Sequence, residues 1–211
     1  MCRALRVRWT ITPKTAPRPW IACSGCGGLK AFQSSGKIRL NANGRKLDAW
    51  LIYKCVDCEK TWNRPLFERR NVRDIDPSVL EALQSNDPQW IRAEAFNLDA
   101  LRHKSQRIDE FPGYDISKAV IGEAPRWTEL EIELAVPLHV GTRLDRLLAS
   151  ELAVSHTRLQ EFHDLGRLRI DTQRSDALRR HIRTGTVAIF DLSPEPDRER
   201  LWRSRATGAV L

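Results

Sequence analysis

The sequence predicts an α+β fold in two parts: an N-terminal antiparallel ribbon covered by short helices, and a C-terminal domain of one strand, two helices and a small antiparallel sheet. Three observations lead to this prediction. Two Cys-x-x-Cys pairs flank a strand-turn-strand pattern, helical periodicity begins near residue 76, and a helix-helix-strand-strand pattern follows residue 141. The chain of 211 residues has room for one or two small domains.

The cysteine pairs are the most specific signal in the sequence. The first pair is Cys23 and Cys26, the second is Cys55 and Cys58, and 28 residues separate the pairs. Four thiolates match the tetrahedral geometry of structural zinc, in which Zn–S distances are about 2.3 Å. A redox pair or structural disulfides are the alternatives, but redox Cys-x-x-Cys motifs usually occur singly at the start of a helix. We therefore expect the four cysteines to bind a structural Zn²⁺ ion.

The segment between the pairs reads as a β-hairpin. Charged and apolar residues alternate over Lys37–Asn41, and Asn43-Gly44 is a preferred two-residue hairpin turn. Asp48–Cys55 is the return strand, with Trp50 and Ile52 on the face opposite to Cys55. Because this strand is apolar on both faces, we expect both faces to be covered.

Helix start signals follow the ribbon. Asp76-Pro77 and Asp87-Pro88 each place a capping carboxylate before a proline at the first helical position. A third short helix is predicted at Leu98–Lys104, with Asn97 as its cap. We expect these acidic helices to cover the basic ribbon; a separate acidic binding module is the alternative.

The C-terminal part begins after Gly122–Pro125, the best linker candidate. Glu129–Val136 alternates glutamates with apolar residues, which predicts a strand with a carboxylate row on its solvent face. Leucines spaced i, i+3, i+4 and i+8 from Leu144 predict a helix, and Ser155 begins a second helix that Gly166 ends. Two short strands complete the domain, at Leu168–Ile170 and Val187–Leu192.

These patterns predict four segments. Residues 1–75 form a zinc ribbon that opens with a strand, and residues 76–122 form its helical cover. Residues 126–193 form the C-terminal domain, and residues 194–211 form a frayed tail.

The net charge of +8 is unevenly distributed. Residues 1–75 hold 16 basic and 5 acidic side chains (+11), residues 76–140 hold 6 and 12 (−6), and residues 141–211 hold 13 and 10 (+3). The basic excess on the ribbon is the kind of electrostatic footprint that binds phosphate backbones.

The sequence shows no membrane or export signal. No apolar run approaches the ~20 residues of a membrane helix, and the first residues have scattered charges and no apolar core. We therefore expect no membrane partner and a location in the reducing cytoplasm, where cysteines bind metal rather than form disulfides.

Two resemblances to known families follow from longer segments. The C-terminal segments are V-P-L-H-V-G-T-R-L-D-R-L-L-A at 136–149, S-H-T-R-L-Q at 155–160, G-R-L-R-I at 166–170 and R-T-G-T-V-A-I-F at 183–190. They resemble the alpha-L RNA-binding domain of a small-subunit ribosomal protein, some tRNA synthetase tails and many pseudouridine synthases, which implies RNA binding. The sequence departs from that family at His156, where arginine is usual, and nothing resembles the synthases' catalytic domain.

The N-terminal resemblance rests on G-K-I-R-L-N-A-N-G-R-K-L-D-A-W-L-I-Y-K-C-V-D-C-E-K-T-W-N at 36–63 and the upstream C-S-G-C. This segment resembles a bacterial family defined only as a domain of unknown function. The resemblance implies that the two halves occur together, and it brings no activity.

These observations predict a cytoplasmic, zinc-stabilised protein that binds structured RNA and is not an enzyme. The five histidines are scattered, no Ser-His-Asp, H-E-x-x-H or phosphate-loop pattern is present, and four cysteine ligands leave zinc no open position. The alternatives are a protein-interaction scaffold whose basic patch meets an acidic protein, and a zinc-ribbon DNA-binding regulator.

The candidate RNA contacts lie on both parts of the chain. They are Lys37, Arg39, Arg45, Lys46 and Lys54 on the ribbon, with Arg143, Arg158, Arg167 and Arg169 on the alpha-L-like domain.

Overall fold

A computed structural model describes residues 3–171 and 176–209. The chain forms two compact units. We call Met1–Lys14 together with Pro112–Leu211 the outer unit, and Thr15–Phe111 the inserted unit. Mixed helices and sheets in both units confirm the predicted α+β class.

The strands are β1 (Ala4–Pro13), β2 (Arg18–Cys23), β3 (Gly28–Asn43), β4 (Lys46–Cys55), β5 (Thr61–Asn71), β6 (Ile108–Asp109), β7 (Tyr114–Glu123), β8 (Glu129–Ala135), β9 (Leu168–Ile170) and β10 (Val187–Asp191). The α-helices are α1 (Pro77–Ser85), α2 (Pro88–Ala95), α3 (Leu98–Arg102), α4 (Leu144–Leu152), α5 (His156–Asp164) and α6 (Arg203–Thr207). Short 3₁₀ turns occupy Val72–Asp74 and Ala177–Arg179, and a π-helical turn spans Arg198–Trp202. Within the described ranges, no helix is long and apolar enough to cross a membrane.

The outer unit is built on a five-stranded sheet of order β7-β1-β8-β10-β9. Strand β1 pairs antiparallel with β7 and parallel with β8, so it lies inside the sheet. Its alternating Leu5, Val7, Trp9 and Ile11 are all completely buried. The predicted first strand therefore exists, but it belongs to the C-terminal fold and not to the ribbon.

Helices α4 and α5 pack on one face of this sheet. The four leucines that the spacing picked out in α4, from Leu144 to Leu152, are buried in the same core as the sheet. The Ser155 hydroxyl caps α5 by accepting from the Arg158 N–H at 3.0 Å. Gly166 follows α5 with φ of 69°, a left-handed conformation that favours glycine.

The opposite face of the sheet is a ladder of ion pairs. The predicted carboxylate row on β8 faces solvent, and its members bind arginines from neighbouring strands. Arg6 Nε lies 2.9 Å from Glu131 Oε1, and Arg8 Nη2 lies 3.1 Å from Glu133 Oε2. Cross-strand opposite charges of this kind each contribute about 0.2–1 kcal/mol.

Residues 194–209 include the π-helical turn and α6, which corrects the prediction of a frayed tail at 194–211, whose last two residues lie outside the described ranges. Trp202 is buried, with its ring 5.6 Å from that of Phe162 and 5.5 Å from that of Phe190. The Trp9 indole N–H donates to the Ala206 carbonyl at 2.7 Å. Acids and arginines dominate the segment, so its sequence does not show that one tryptophan anchors it in the core.

The inserted unit is a five-stranded sheet of order β5-β4-β3-β2-β6 with α1, α2 and α3 on one face. The predicted caps are confirmed: Asp76 accepts from Ser78 N at 2.8 Å, Asp87 accepts from Gln89 N at 2.8 Å, and Asn97 accepts from Ala100 N at 3.1 Å. Helix residues pack on the β4 side chains that share a face with Cys55. The buried core between them includes Ala49, Leu51 and Tyr53 from β4, and Leu83, Ile91, Ala95 and Leu101 from the helices.

The expectation that both faces of β4 are covered is wrong. Trp50 and Ile52 remain partly exposed, and the core that the structure describes in this unit does not include them. The helices cover one face only, because each is short and all three lie on the same side of the sheet.

A buried ion pair ties α2 to the sheet. Arg64 on β5 is 1% exposed and donates through Nη2 to Glu94 on α2. Its guanidinium also lies over the Tyr53 ring, with 5.8 Å between Cζ and the ring centroid. Removing Glu94 would leave the buried Arg64 charge without this partner, which for a fully buried pair typically costs about 3–5 kcal/mol and less where one partner is part-exposed.

The inserted unit interrupts a single hairpin of the outer unit. Pro13 at the end of β1 pairs with Tyr114 at the start of β7, and Lys14 N donates to Gly113 O at 3.0 Å. Within the inserted unit, Arg18 pairs with Asp109, so its own two ends are also adjacent. Adjacent ends are the usual arrangement in tolerated domain insertions.

This topology differs from the predicted boundaries. The division lies at 14/15 and 111/112 rather than at the predicted 75/76 and 122/126. The proposed linker is not a linker, because Gly122 and Glu123 lie in β7 and pair with β1.

The insertion predicts that the outer unit folds without the inserted one. Replacing residues 15–111, together with Pro112 of the outer unit, by Asn-Gly places a favoured two-residue turn between Lys14 and Gly113. We expect a soluble chain with cooperative urea unfolding, measured by circular dichroism. Residues 15–111 expressed alone are the matched partner. A shortened chain without cooperative unfolding contradicts the insertion.

The ordered C-terminal segment predicts a large effect of Trp202→Ala. Truncating a buried tryptophan costs about 3–5 kcal/mol, whereas Arg200→Ala, at an exposed neighbouring position, should change the free energy of unfolding by less than about 0.5 kcal/mol. Urea unfolding of both variants checks this. Equal stability of the two would mean that the segment does not support the core.

Candidate metal centre and basic hairpin face

The four cysteines of the two pairs come together at one end of the inserted unit's sheet. Cys23 ends β2 and Cys55 ends β4, and each is followed by a tight turn that returns its partner cysteine to the same point. The sulfur atoms of Cys23 and Cys58 are 3.4 Å apart, and those of Cys26 and Cys55 are 3.9 Å apart. All four sulfurs lie within 4.8 Å of one another, and none is in a disulfide.

The two turns have the same backbone. Gly27 N donates to Cys23 O at 2.9 Å, and Glu59 N donates to Cys55 O at 3.0 Å. Both residues are left-handed, with φ of 71° at Gly27 and 61° at Glu59. The first turn uses glycine for this conformation, whereas Glu59 adopts it at a cost of about 1–2 kcal/mol.

The thiols influence one another strongly. Burial raises the pKa of Cys23, but hydrogen bonds from the backbone of Cys26 and Gly25 and with the Cys58 thiol outweigh it and lower the pKa to about 7. Hydrogen bonding with Cys58, together with burial, raises the pKa of Cys26 to about 12. The cluster thus favours one thiolate and opposes further ionisation unless a cation offsets the charge.

The donor set fits a tetrahedral metal ion. Four sulfurs about 2.3 Å from a central ion would be about 3.8 Å apart, and the two sulfur separations above bracket this value. Space around the cluster is tight: a Cβ at Gly25 would lie 3.0 Å from the Cys58 sulfur and 2.8 Å from Lys60 Cγ. The four cysteines could therefore hold one metal ion, as the sequence predicted.

The β3–β4 hairpin extends from this cluster and ends in a two-residue turn. Asn43 pairs with Lys46, so the central turn residues are Gly44 and Arg45 rather than the predicted Asn43-Gly44. Gly44 has φ of 59° while Arg45 is not left-handed, and glycine at the first central position is typical of a type II′ turn. The shift moves Arg45 to the tip.

The hairpin surface turned away from the helices is basic, and we call it the hairpin face. Residues paired across an antiparallel ladder lie on the same face, and the register pairs Lys37 with Ile52, Arg39 with Trp50 and Asn43 with Lys46. The hairpin face consists of Lys37, Arg39, Asn41 and Asn43 on β3 and Lys46, Asp48, Trp50, Ile52 and Lys54 on β4.

Most of the hairpin cations that the sequence predicts as RNA contacts form no ion pair with an acidic side chain of the described residues. Within residues 3–171 and 176–209, ion pairs are found for Lys54, with Glu59 at 3.3 Å, but not for Lys37, Arg39, Arg45 or Lys46. Four of the five predicted ribbon cations are therefore available to an external anion.

The outer-unit arginines that the sequence predicts as RNA contacts instead form ion pairs with acidic side chains of the protein itself. Arg158 and Arg167 each lie 2.9 Å from Glu195, and Arg169 lies 3.0 Å from Glu129. Arg143 pairs with Asp145. The glutamates come from distant parts of the chain, so these pairings could not be recognised from the spacing.

A groove beside Arg143 is lined by two further cations, Arg146 and Arg179, that were not predicted as RNA contacts. It is lined by Arg143, Asp145, Arg146, His156, Leu159, Gln160, Leu178 and Arg179. The i, i+3 spacing of Arg143 and Arg146 at the start of α4 was the available signal, since both fall on one side of a helix.

The fold and the site define the class: an α+β protein of two units, in which the inserted unit carries a cluster of four cysteines that could hold a metal ion. The chain belongs to the family described as "Protein of unknown function (DUF1062)", which matches residues 40–174 and so runs through both units. This confirms the resemblance to a family of unknown function. No curated protein and no solved structure matches the chain, and the alpha-L resemblance gains no support from these comparisons.

The cluster predicts one metal ion per chain, held by all four thiols. Cys58→Ser should release the ion and unfold the inserted unit, because binding a structural metal can contribute about 10–16 kcal/mol, more than the net stability of a small domain. Metal analysis and circular dichroism check this, with Cys2→Ser as the matched control. Metal-free, folded wild-type protein contradicts the prediction.

Proposed function

We propose that this protein is a zinc-stabilised, non-catalytic RNA-binding protein of the cytoplasm. The proposal is based on the hairpin face. Its cations Lys37, Arg39 and Lys46 form no ion pair within the described residues, and the hairpin extends from the four-cysteine cluster. We propose Zn²⁺ as the bound ion because four thiolates in tetrahedral arrangement are its usual structural ligands. With four protein ligands no coordination position is open for a substrate, which supports a structural role.

Charge on the hairpin supports phosphate as the ligand. Lys37 and Arg39 are two residues apart on one face of β3, and Arg45 and Lys46 follow at the tip. Same-face neighbours on a strand are about 6.8 Å apart, so several cations can meet one backbone. Contacts to phosphate dominate the affinity of most nucleic-acid binders and carry no sequence information.

The outer unit supports the proposal through its groove rather than through the four predicted arginines. Arg146 and Arg179 line the groove and are exposed, whereas Arg158, Arg167 and Arg169 are bound to glutamates. The order α4, α5, β9, β10 is the one expected of an alpha-L-like domain. We include such a domain in the proposal as a second RNA contact.

The proposal predicts that charge removal on the hairpin weakens RNA binding and flattens its salt dependence. Each phosphate contact contributes a log–log slope of about −0.7 to −0.9. Lys37→Gln with Lys46→Gln should therefore reduce the slope by about 1.4–1.8 for RNAs of any sequence. Gel shifts or fluorescence anisotropy at several salt concentrations measure it.

The control is Arg169→Gln, which removes a single surface charge that belongs to an internal ion pair with Glu129. It should leave the slope unchanged. Absence of RNA binding at low salt contradicts the proposal, and co-purification with an acidic protein and no nucleic acid would favour a scaffold. Tighter binding to duplex DNA than to structured RNA would favour a DNA-binding regulator.

A further inference from the structure

The hairpin face has an aromatic ring at its centre. Trp50 pairs with Arg39 on β3 and with Pro65 on β5. The Arg39 Cζ lies 5.8 Å from the centroid of the ring, and the Trp50 indole N–H donates to Glu68 Oε1 at 3.4 Å. The ring thus contacts Arg39 and Glu68, and the residue stays partly exposed.

Both cations and acids lie around this ring: Asp48 is two residues before Trp50 on the same face, and Glu68 accepts from the indole N–H. Lys46 and Lys54 lie on the same face as Trp50, four residues before and after it, which is about 14 Å in each direction at about 3.4 Å per residue. Lys37 lies on the neighbouring strand, opposite Ile52. Side-chain amides of Asn41 and Asn43 extend the polar surface toward the tip.

Trp50 does not serve the core of its own unit. Its neighbours in sequence, Ala49 and Leu51, are completely buried under the helices, whereas Trp50 faces the other way. A large ring beside Lys37, Arg39 and Lys46, for which the described residues provide no ion pair, matches the chemistry of single-stranded nucleic acids, whose bases stack on aromatic side chains while cations meet the phosphates. Bases inside a duplex cannot reach such a ring, because they are already stacked and paired.

We propose that the hairpin face is a stacking platform for single-stranded RNA, in which an unpaired base stacks on Trp50 and the cations Lys37, Arg39 and Lys46 bind the neighbouring phosphates. This inference rests on the proposed function and specifies the form of the RNA: an unpaired segment, such as a loop or an end, rather than a continuous duplex.

The test uses the full-length protein and a short fluorescein-labelled RNA of mixed sequence, offered either single-stranded or annealed to its complement. Fluorescence anisotropy gives both affinities over a range of salt. Trp50→Leu keeps an apolar side chain but removes the π face, and Trp50→Phe keeps a π face. Thermal unfolding by circular dichroism confirms that both variants fold like the wild type.

We expect the single strand to bind more tightly than the duplex. Trp50→Leu should weaken single-strand binding by about 5- to 150-fold, with an unchanged salt slope because no charge is lost, and Trp50→Phe should retain most of the affinity. Lys46→Gln is the complementary variant, since it should reduce the slope by about 0.7 for single-stranded RNA.

Four outcomes overturn this inference in whole or in part. Wild-type affinity in Trp50→Leu, with weakened binding in Lys46→Gln, rejects stacking and leaves the proposed function in place. Equal affinity for duplex and single strand rejects the unpaired ligand. Failure to bind either RNA at low salt rejects the proposed function itself. A single-stranded DNA of the same sequence bound equally well supports the platform but overturns RNA as its ligand.

Discussion

The inserted unit depends on bringing four thiols within 4.8 Å of one another. Ionised sulfurs at these distances repel, and a bound cation reverses that repulsion into attraction. The same contact closes the base of the sheet, because Cys23 ends β2 and Cys55 ends β4. Without an ion, the two turns would rely on their backbone hydrogen bonds and on surface ion pairs such as that of Lys30 with Asp57.

Closing the base of the sheet has a consequence at the other end of the hairpin. Strand β3 runs from Gly28, beside the first cysteine pair, to Asn43 at the tip. A hairpin fixed at its base and covered on one face by helices presents its other face to solvent in a defined register. The candidate metal site therefore lies at the base of the same hairpin whose outer surface is the basic hairpin face. The buried Arg64–Glu94 pair supports the same arrangement by holding α2 on the covered face.

Local signals in the sequence predicted local structure well. The cysteine spacing, the Asp76 and Asp87 caps and the leucine period of α4 depend on interactions within a few residues, and all appear as predicted. Long-range pairing was not predictable in this way. Leu5–Ile11 reads as a strand, but nothing in its pattern indicates that β1 lies between β7 and β8. The C-terminal segment was misjudged for the same reason, since its order depends on Trp202 reaching Phe162 and Phe190. The candidate RNA contacts also depend on long-range pairing. The sequence indicates that Arg167 is a surface cation, but the fold places Glu195 beside it.

The most direct test of this account is X-ray absorption at the zinc edge of the purified full-length protein. The account predicts about one zinc per chain with four sulfur ligands at about 2.3 Å and no nitrogen or oxygen ligand. A site with nitrogen or oxygen ligands would have an open or exchangeable position and would contradict a purely structural role. Protein that folds with no zinc, or with another metal, would show that the ion at the base of the hairpin has been wrongly assigned.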